Sequence, residues 1–287
     1  MVGLERTMRV GIASGKGGTG KTTVATNLAR VAALETRSVV YLDCDVEEPN
    51  GQIFLQPEVE WRRPVTVPVP RVDPDVCDLC GECGEICEFS AIVPIGSRVL
   101  VFPQLCHSCG GCRLVCPLQA ITDTPREVAT LMGGRVGGVE YLQGLLNIGE
   151  AMSPPVIRAL KAAAPLAELV IVDAPPGTSC PVVEAVKGCD KVLLVTEPTP
   201  FGLHDLELAV NTIGELGIGC EVVVNRAGAN GEATRELCRT WGIEIAAELP
   251  DRRSIAEAYS RGEMAVDADP EFRDRFLTLL RRVEGRS

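Results

Sequence analysis

Aromatic residues are scarce: Phe, Trp and Tyr together make up 4% of the 287 residues. Recognition of nucleic acid by base stacking therefore has little to work with. Positive charge is also short, with 28 Lys and Arg against 39 Asp and Glu and a formal net charge of −11. A broad DNA-binding face needs clustered cations to neutralise phosphates, so nucleic acid is not an expected partner, although a local basic patch fits this balance. No apolar run approaches the ~18–20 residues needed to span a bilayer. The opening MVGLERTMRVGIAS lacks the apolar stretch of a secretory signal; MRVGIAS reads as a first strand, with Met8 a second candidate start and 1–7 a tail. Histidine occurs only as His107 and His204, with no catalytic arrangement around either. These shortages point to a cytoplasmic protein that engages neither membrane nor DNA. Hydrophobic content of 46% and charged content of 23% are those of an ordinary globular chain, long enough for one large domain or two.

Cysteine, by contrast, is plentiful. Thirteen thiols in a reducing compartment point to metal rather than disulfides. Cys77, Cys80, Cys83 and Cys87 follow C-x2-C-x2-C-x3-C, and Cys106, Cys109, Cys112 and Cys116 repeat it 29 residues later. The repeat continues past the last cysteine, where CEFSAIV parallels CPLQAIT, so the segment is an internal duplication that folds as one small two-fold module. Short C-x2-C-x2-C loops wrap three thiolates around one face of a cubane, and the fourth cysteine leaves on a short helix toward the other cluster. This crossing assigns Cys77, Cys80, Cys83 and Cys116 to one 4Fe–4S centre, and Cys87, Cys106, Cys109 and Cys112 to the other. Pro117 follows the last cysteine of the second run, whereas Glu88 stands there in the first; the change removes no ligand. Zinc is the plainer alternative, but it needs only four thiolates and rarely explains such a run. Residues ~70–125 resemble a bacterial two-cluster ferredoxin.

MRVGIASGKGGTGKTTVATNLARVAA fits strand, glycine-rich loop, helix, and Gly15-x4-Gly20-Lys21-Thr22 satisfies G-x4-G-K-[ST] in that context. Such glycines let backbone N–H groups turn onto a β-phosphate at a helix N-terminus. Lys21 is expected along the β- and γ-phosphates and Thr22 on Mg²⁺. The loop residues Gly15, Lys16, Gly17, Gly18, Thr19, Gly20, Lys21, Thr22 and Thr23 form the expected ATP cradle. With the second lysine of KGGTGKTT, the chain resembles the deviant P-loop ATPases of the MinD, ParA, Mrp and nitrogenase iron protein group. The resemblance implies that Lys16 reaches the nucleotide of the other subunit in an ATP-sandwiched dimer. VVYLDCDVEEPN resembles the switch I segment, which carries Asp45 over as the residue orienting the attacking water and Asp43 as a Mg²⁺-side group, with an exchange of these roles left open. Two carboxylates at the carboxyl end of a parallel strand would repel a triphosphate unless a metal lay between. LVIVDAPPGTS resembles Walker B and switch II, with Asp173 in the Mg²⁺ shell and the Gly177 N–H on the γ-phosphate. Asn225 of EVVVNRAG and Pro250–Asp251 of ELPDRRS match the family's adenine-contacting positions, though they are also plain turn chemistry.

The expected fold class is therefore α/β: a doubly wound, mostly parallel sheet from residues 1–60 and 126–287, interrupted at 61–125 by a small α+β ferredoxin-like domain. The flanks WRRPVTVPVPRVDP and TDTPREVATLMGGRVGG, rich in Pro and Gly, read as connecting segments. The arrangement resembles MinD-type ATPases with an inserted ferredoxin domain, which implies a homodimer, or a heterodimer with a paralogous ATPase, and a redox or metal-cofactor partner such as a NifX-like protein. Cys180 lies where the nitrogenase iron protein carries a cluster ligand, but a bridged cluster needs a second cysteine and none is evident; it reads as an ordinary thiol. Cys44, Cys189, Cys220 and Cys238 read as core, and the C-x-x-C of Mrp-type scaffolds is absent. The tail PEFRDRFLTLLRRVEGRS, with an apolar stripe at Phe272, Phe276, Leu279, Leu280 and Val283, reads as a helix packed on the sheet rather than a membrane anchor. Three functions follow: ATP turnover coupled to electron transfer, which leads; an ATPase assembling or delivering a metal cofactor; and a MinD- or ParA-like positioning ATPase.

Overall fold

The computed structural model describes residues 7–35, 37–228 and 231–285, so most of the expected N-terminal tail lies outside it. The first strand, β1 (Met8–Ala13), leads through a loop into helix α1 (Lys21–Leu34), then β2 (Val39–Asp43), α2 (Gly51–Leu55) and a long β3 (Glu58–Val72). The cysteine segment follows as α3 (Glu82–Glu85), the hairpin β4 (Ile92–Ile95) and β5 (Arg98–Val101), and α4 (Gly111–Val115). The chain returns on β6 (Ile121–Val136) and β7 (Val139–Leu146). Four strand–helix alternations complete it: α5 (Pro154–Ala163), β8 (Leu169–Asp173), α6 (Cys180–Val186), β9 (Lys191–Thr196), α7 (Pro200–Glu215), β10 (Cys220–Ala227), α8 (Glu232–Trp241), β11 (Ile245–Pro250) and α9 (Arg253–Ser260). Helices α10 (Ala265–Ala268) and α11 (Pro270–Val283) close the fold.

One nine-stranded sheet runs in the order β11-β10-β9-β1-β8-β2-β7-β6-β3. All pairings from β11 to β7 are parallel, and β6 and β3 are added antiparallel. The central strands VVYLD and LVIVD are buried at every position, as unbroken apolar runs must be when helices cover both faces. On one face α5, α6, α7 and α8 pack through Val156, Leu160, Val186 and Ile213. On the other lie α1, α2, α10 and α11. The apolar stripe of α11 is wholly inside, with Phe272, Phe276, Leu279, Leu280 and Val283 all 3% exposed or less, so the terminal helix is packed on the sheet as expected. Among the described residues no helix is long and apolar enough to cross a membrane.

The cysteine segment is attached differently from the expectation. Its flanks are not connectors but strands: β3 and β6 pair over their whole length, from Glu58 with Arg135 to Val72 with Ile121, and the expected boundaries at 60/61 and 125/126 fall inside them. Pro64, Pro68 and Pro70, which suggested a connector, are tolerated because β3 is the sheet's edge and needs no outward N–H. The module therefore hangs from the far end of the β3–β6 pair, and its own hairpin, β4–β5, forms a separate two-stranded sheet.

Candidate functional site

At the carboxyl ends of the central strands a cavity of about 620 Å³ opens, lined by residues 16–23, Asp45, Asn225, Pro250 and Asp251. These are most of the residues picked out by the motifs, brought together from four segments. Gly20 adopts a left-handed conformation (φ 90°) at the start of α1, and a Cβ there would lie 2.1 Å from Asn225 Nδ2. Asn225 in turn donates from Nδ2 to the Thr19 carbonyl at 2.8 Å, so in this conformation its amide braces the loop as well as lining the cavity. Gly15 does not line the cavity; a Cβ on it would strike the Asp205 carbonyl of α7 at 2.0 Å, so it is needed for the loop's close approach to that helix. Lys16 lies 3.8 Å from the Asp205 carboxylate and is one-third exposed. Gly177 is also outside the cavity, and its N–H donates to the Ser14 carbonyl at 3.0 Å.

Beneath the loop lies a buried polar cluster. Lys21 Nζ meets Asp173 Oδ1 at 3.2 Å, and the Tyr41 hydroxyl donates to Asp173 Oδ2 at 2.8 Å. Asp43 Oδ2 accepts from the Gly51 N–H at 2.8 Å and from the Tyr141 hydroxyl at 3.4 Å, while its Oδ1 is buried without a partner. Asp43 and Asp173 do not line the cavity but sit directly under it, 1% and 0% exposed. Burial opposes the charge of Lys21, yet Asp173, Asp45 and Asp43 outweigh it and hold the ammonium above its ordinary range. Burial, and then the charge of Asp173, push Asp43 up to about 8. Asp45, at the cavity wall, is pushed up to about 6, chiefly by burial. The sequence reading missed the two tyrosines, which stack with ring centroids 5.5 Å apart and roof the carboxylates. A tyrosine inside an otherwise aliphatic VVYLD strand was the signal: a phenol buried there needs a polar partner. It also missed the aromatic pair Phe54–Tyr259, centroids 4.2 Å apart, on the cavity wall.

The eight thiols fall into two sets. Cys77, Cys80, Cys83 and Cys116 surround one cavity of about 20 Å³; Cys87, Cys106, Cys109 and Cys112 surround a second of about 160 Å³. The backbone repeats with the 29-residue period: Leu79 and Ser108, Gly81 and Gly110, and Ser90 and Gln119 all carry positive φ. The Ala91 N–H donates to Cys87 Sγ and the Ala120 N–H to Cys116 Sγ, both at 3.3 Å. Among the described residues no three His, Cys, Asp or Glu side chains converge closely enough to share a single metal ion. Cys180 is exposed, and Cys44, Cys189 and Cys238 are buried as core residues, while Cys220 is half-buried.

One segment links the nucleotide-site side of the sheet to β6, the strand that returns from the cysteine module. The Leu146 N–H donates to the Val46 carbonyl at 2.9 Å, and Ser153 Oγ to Glu47 at 2.9 Å, just past Asp45. Within the same stretch, the Asn147 N–H donates to the Val128 carbonyl of β6 at 2.9 Å, and Glu150 pairs with Arg126.

A strand–glycine loop–helix turn over paired strand-end carboxylates, at the carboxyl edge of a parallel sheet, defines a P-loop nucleotide-binding protein. Residues 10–266 match the CobQ/CobB/MinD/ParA nucleotide binding domain, and the chain belongs to that family. An uncharacterized protein of Methanocaldococcus jannaschii is 35% identical over 227 residues, covering 78% of this chain and 79% of its own. The septum site-determining protein MinD of Thermotoga maritima is 27% identical over 147 residues, 47% of this chain and 54% of its own. Among solved structures, MinD complexed with Mg-ADP from Pyrococcus horikoshii aligns over 97% of this chain and 96% of its own, with a TM-score of 0.61 at 20% identity, a likeness of fold.

Proposed function

We propose that this protein is an ATP-hydrolysing switch of the MinD/ParA kind, which dimerises around nucleotide, engages a protein partner, and carries two 4Fe–4S clusters on the module at its sheet edge. The observation that carries the first part is the Lys21–Asp173 pair under a 620 Å³ cavity, with Asp43 and Asp45 beside it. Lys21 leaves Asp173 for the phosphates, and the loop N–H groups of residues 17–22 hold the β-phosphate. Mg²⁺ fits the site: two carboxylates pushed toward protonation and a buried, unpartnered Asp43 Oδ1 are relieved by a dication, which would neutralise triphosphate charge. Thr22, Asp43 and Asp173 would hold it, directly or through water. Asp45, on the cavity wall, orients the attacking water. Lys16 and Gly177 act only once released from Asp205 and Ser14, so both mark the conformational change that nucleotide drives. Asn225, Pro250 and Asp251 flank the base end. Partner engagement is supported by fold likeness to the Aquifex aeolicus MinC:MinD complex, TM-score 0.59. Release of phosphate from γ-labelled ATP, lost in Lys21→Ala, tests this part.

These similarities favour the MinD/ParA-like switch over the redox-led reading that the sequence put first. Electron transfer stays as a second reading on one observation: each four-thiol set is the crossed set expected of a two-cluster ferredoxin. The donor set fits a cubane. It offers thiols ringing a cavity, N–H···S bonds, and left-handed turns at Leu79 and Ser108, which cost about 1–2 kcal/mol each in a non-glycine residue and so mark positions held for a purpose. Bound clusters would supply one-electron chemistry at low potential. Iron that leaves the module during turnover would instead support the assembly reading.

A further inference from the structure

Exposed apolar side chains gather in the cysteine module. Nine of the nineteen large hydrophobic residues that stand exposed among the described residues lie between Val76 and Leu118. Those 43 residues hold nine; the other 233 described residues hold ten. Leu79 and Leu118 edge the first thiol cavity, Ile86 and Phe89 the second, and Leu114 is 80% exposed. The Phe89 and His107 rings stack at 3.6 Å with a 5° interplanar angle, making a flat platform at the second cavity. Exposed apolar side chains concentrated in one small module mark a contact face.

The two halves of the repeat share a backbone but not a surface. Asp75, Asp78, Glu82, Glu85 and Glu88 are all exposed; their equivalents 29 residues on are Gln104, His107, Gly111, Leu114 and Pro117, none acidic. Residues 73–123 hold seven Asp and Glu against Arg98 and Arg113, and Arg113 is paired with Asp123 at 2.9 Å. One half thus carries an acidic ridge among its exposed apolar side chains, and the other is apolar and neutral. A second copy meeting the module ridge to ridge would bring the same charge against itself, and an anionic lipid surface would be repelled by the ridge for the same reason.

We propose that the module is a docking head for a protein whose contact face has an apolar centre flanked by Lys and Arg. The apolar half, centred on Leu114, supplies the buried contact, and the acidic ridge supplies steering and register. This goes beyond the switch reading and does not depend on nucleotide. Oxidised cytochrome c, a lysine-rimmed redox protein, serves as the probe, titrated calorimetrically under anaerobic conditions into the full chain. The expected result is binding at 20 mM NaCl that weakens about tenfold at 300 mM. Glu85→Gln/Glu88→Gln should weaken it several-fold, whereas Glu207→Gln/Glu215→Gln, an equal charge change on α7, should not. Leu114→Ser should also weaken it, and Leu166→Ser, 83% exposed but outside the module, should not. Equal losses from the α7 or Leu166 variants, self-association abolished by Leu114→Ser in sedimentation velocity, binding to phosphatidylserine vesicles through Leu114, or no complex at low salt would each overturn the proposal.

Discussion

The nucleotide pocket and the cysteine module handle negative charge in opposite ways. Beneath the phosphate loop Asp43 and Asp173 are fully buried, held by one ammonium and two phenols, with Asp43 also pushed toward protonation. In the module the carboxylates stand in water, and of the eight thiols only Cys83 and Cys106 are buried, with Cys80 and Cys109 exposed. Buried carboxylates with an unpartnered oxygen are costly unless a cation arrives, so the pocket is unstable by itself and responds to what binds. The module stores its tension in backbone conformation and exposed apolar surface instead. On the proposed reading, the first region changes with ligand and the second holds clusters and docks a partner.

Lys21→Ala breaks the comparison most severely. Loss of the cation should lower ATP turnover by at least about 100-fold, while iron and sulfide content stay unchanged, as read by phosphate release and metal analysis. Cys112→Ser is the reciprocal break: iron should fall to about half, from the about eight atoms of two cubanes, with nucleotide affinity kept in isothermal titration. A pH series sharpens the contrast further. Asp43 binds a proton in the folded state up to about pH 8 but in the unfolded chain only to its ordinary value, near 3.8. The folded state therefore holds more protons across that window, and the nucleotide-free protein should lose stability as pH rises from about 4 toward about 8. Asp43→Asn should flatten the slope in a thermal-melt series, whereas charge removal in the exposed ridge, such as Glu85→Gln, should leave it alone. The smallest effect is expected from Arg126→Gln, which cuts the Glu150 contact near the join. Basal turnover should hold, but any nucleotide-dependent protection of residues 121–128 in hydrogen exchange should weaken.

Much of this was legible in the residues. The phosphate loop, the crossed thiol sets and the buried face of α11 each depend on local spacing: four residues between glycines, two or three between cysteines, a 3.6-residue stripe. What escaped the sequence depends on partners distant in the chain. Pro64, Pro68 and Pro70 read as a connector because nothing local says that Val65 will face Ala129 at a sheet edge. The hydroxyl of Tyr41 reaches Asp173, 132 residues away, so its role under the loop emerges only once β2 and β8 are side by side. Gly177 and Lys16 were matched to the nucleotide-bound state of a family, and here their groups are engaged with Ser14 and Asp205.

The central claim, that one chain joins a nucleotide switch to a cluster-bearing head, is tested most directly by electron paramagnetic resonance of the anaerobically reduced protein, with ADP and with a non-hydrolysable ATP analogue. The account predicts paired 4Fe–4S signals whose line shape shifts between the two nucleotides, and a shift that disappears in Lys21→Ala. No iron–sulfur signal, or spectra identical in both nucleotide states, would contradict it.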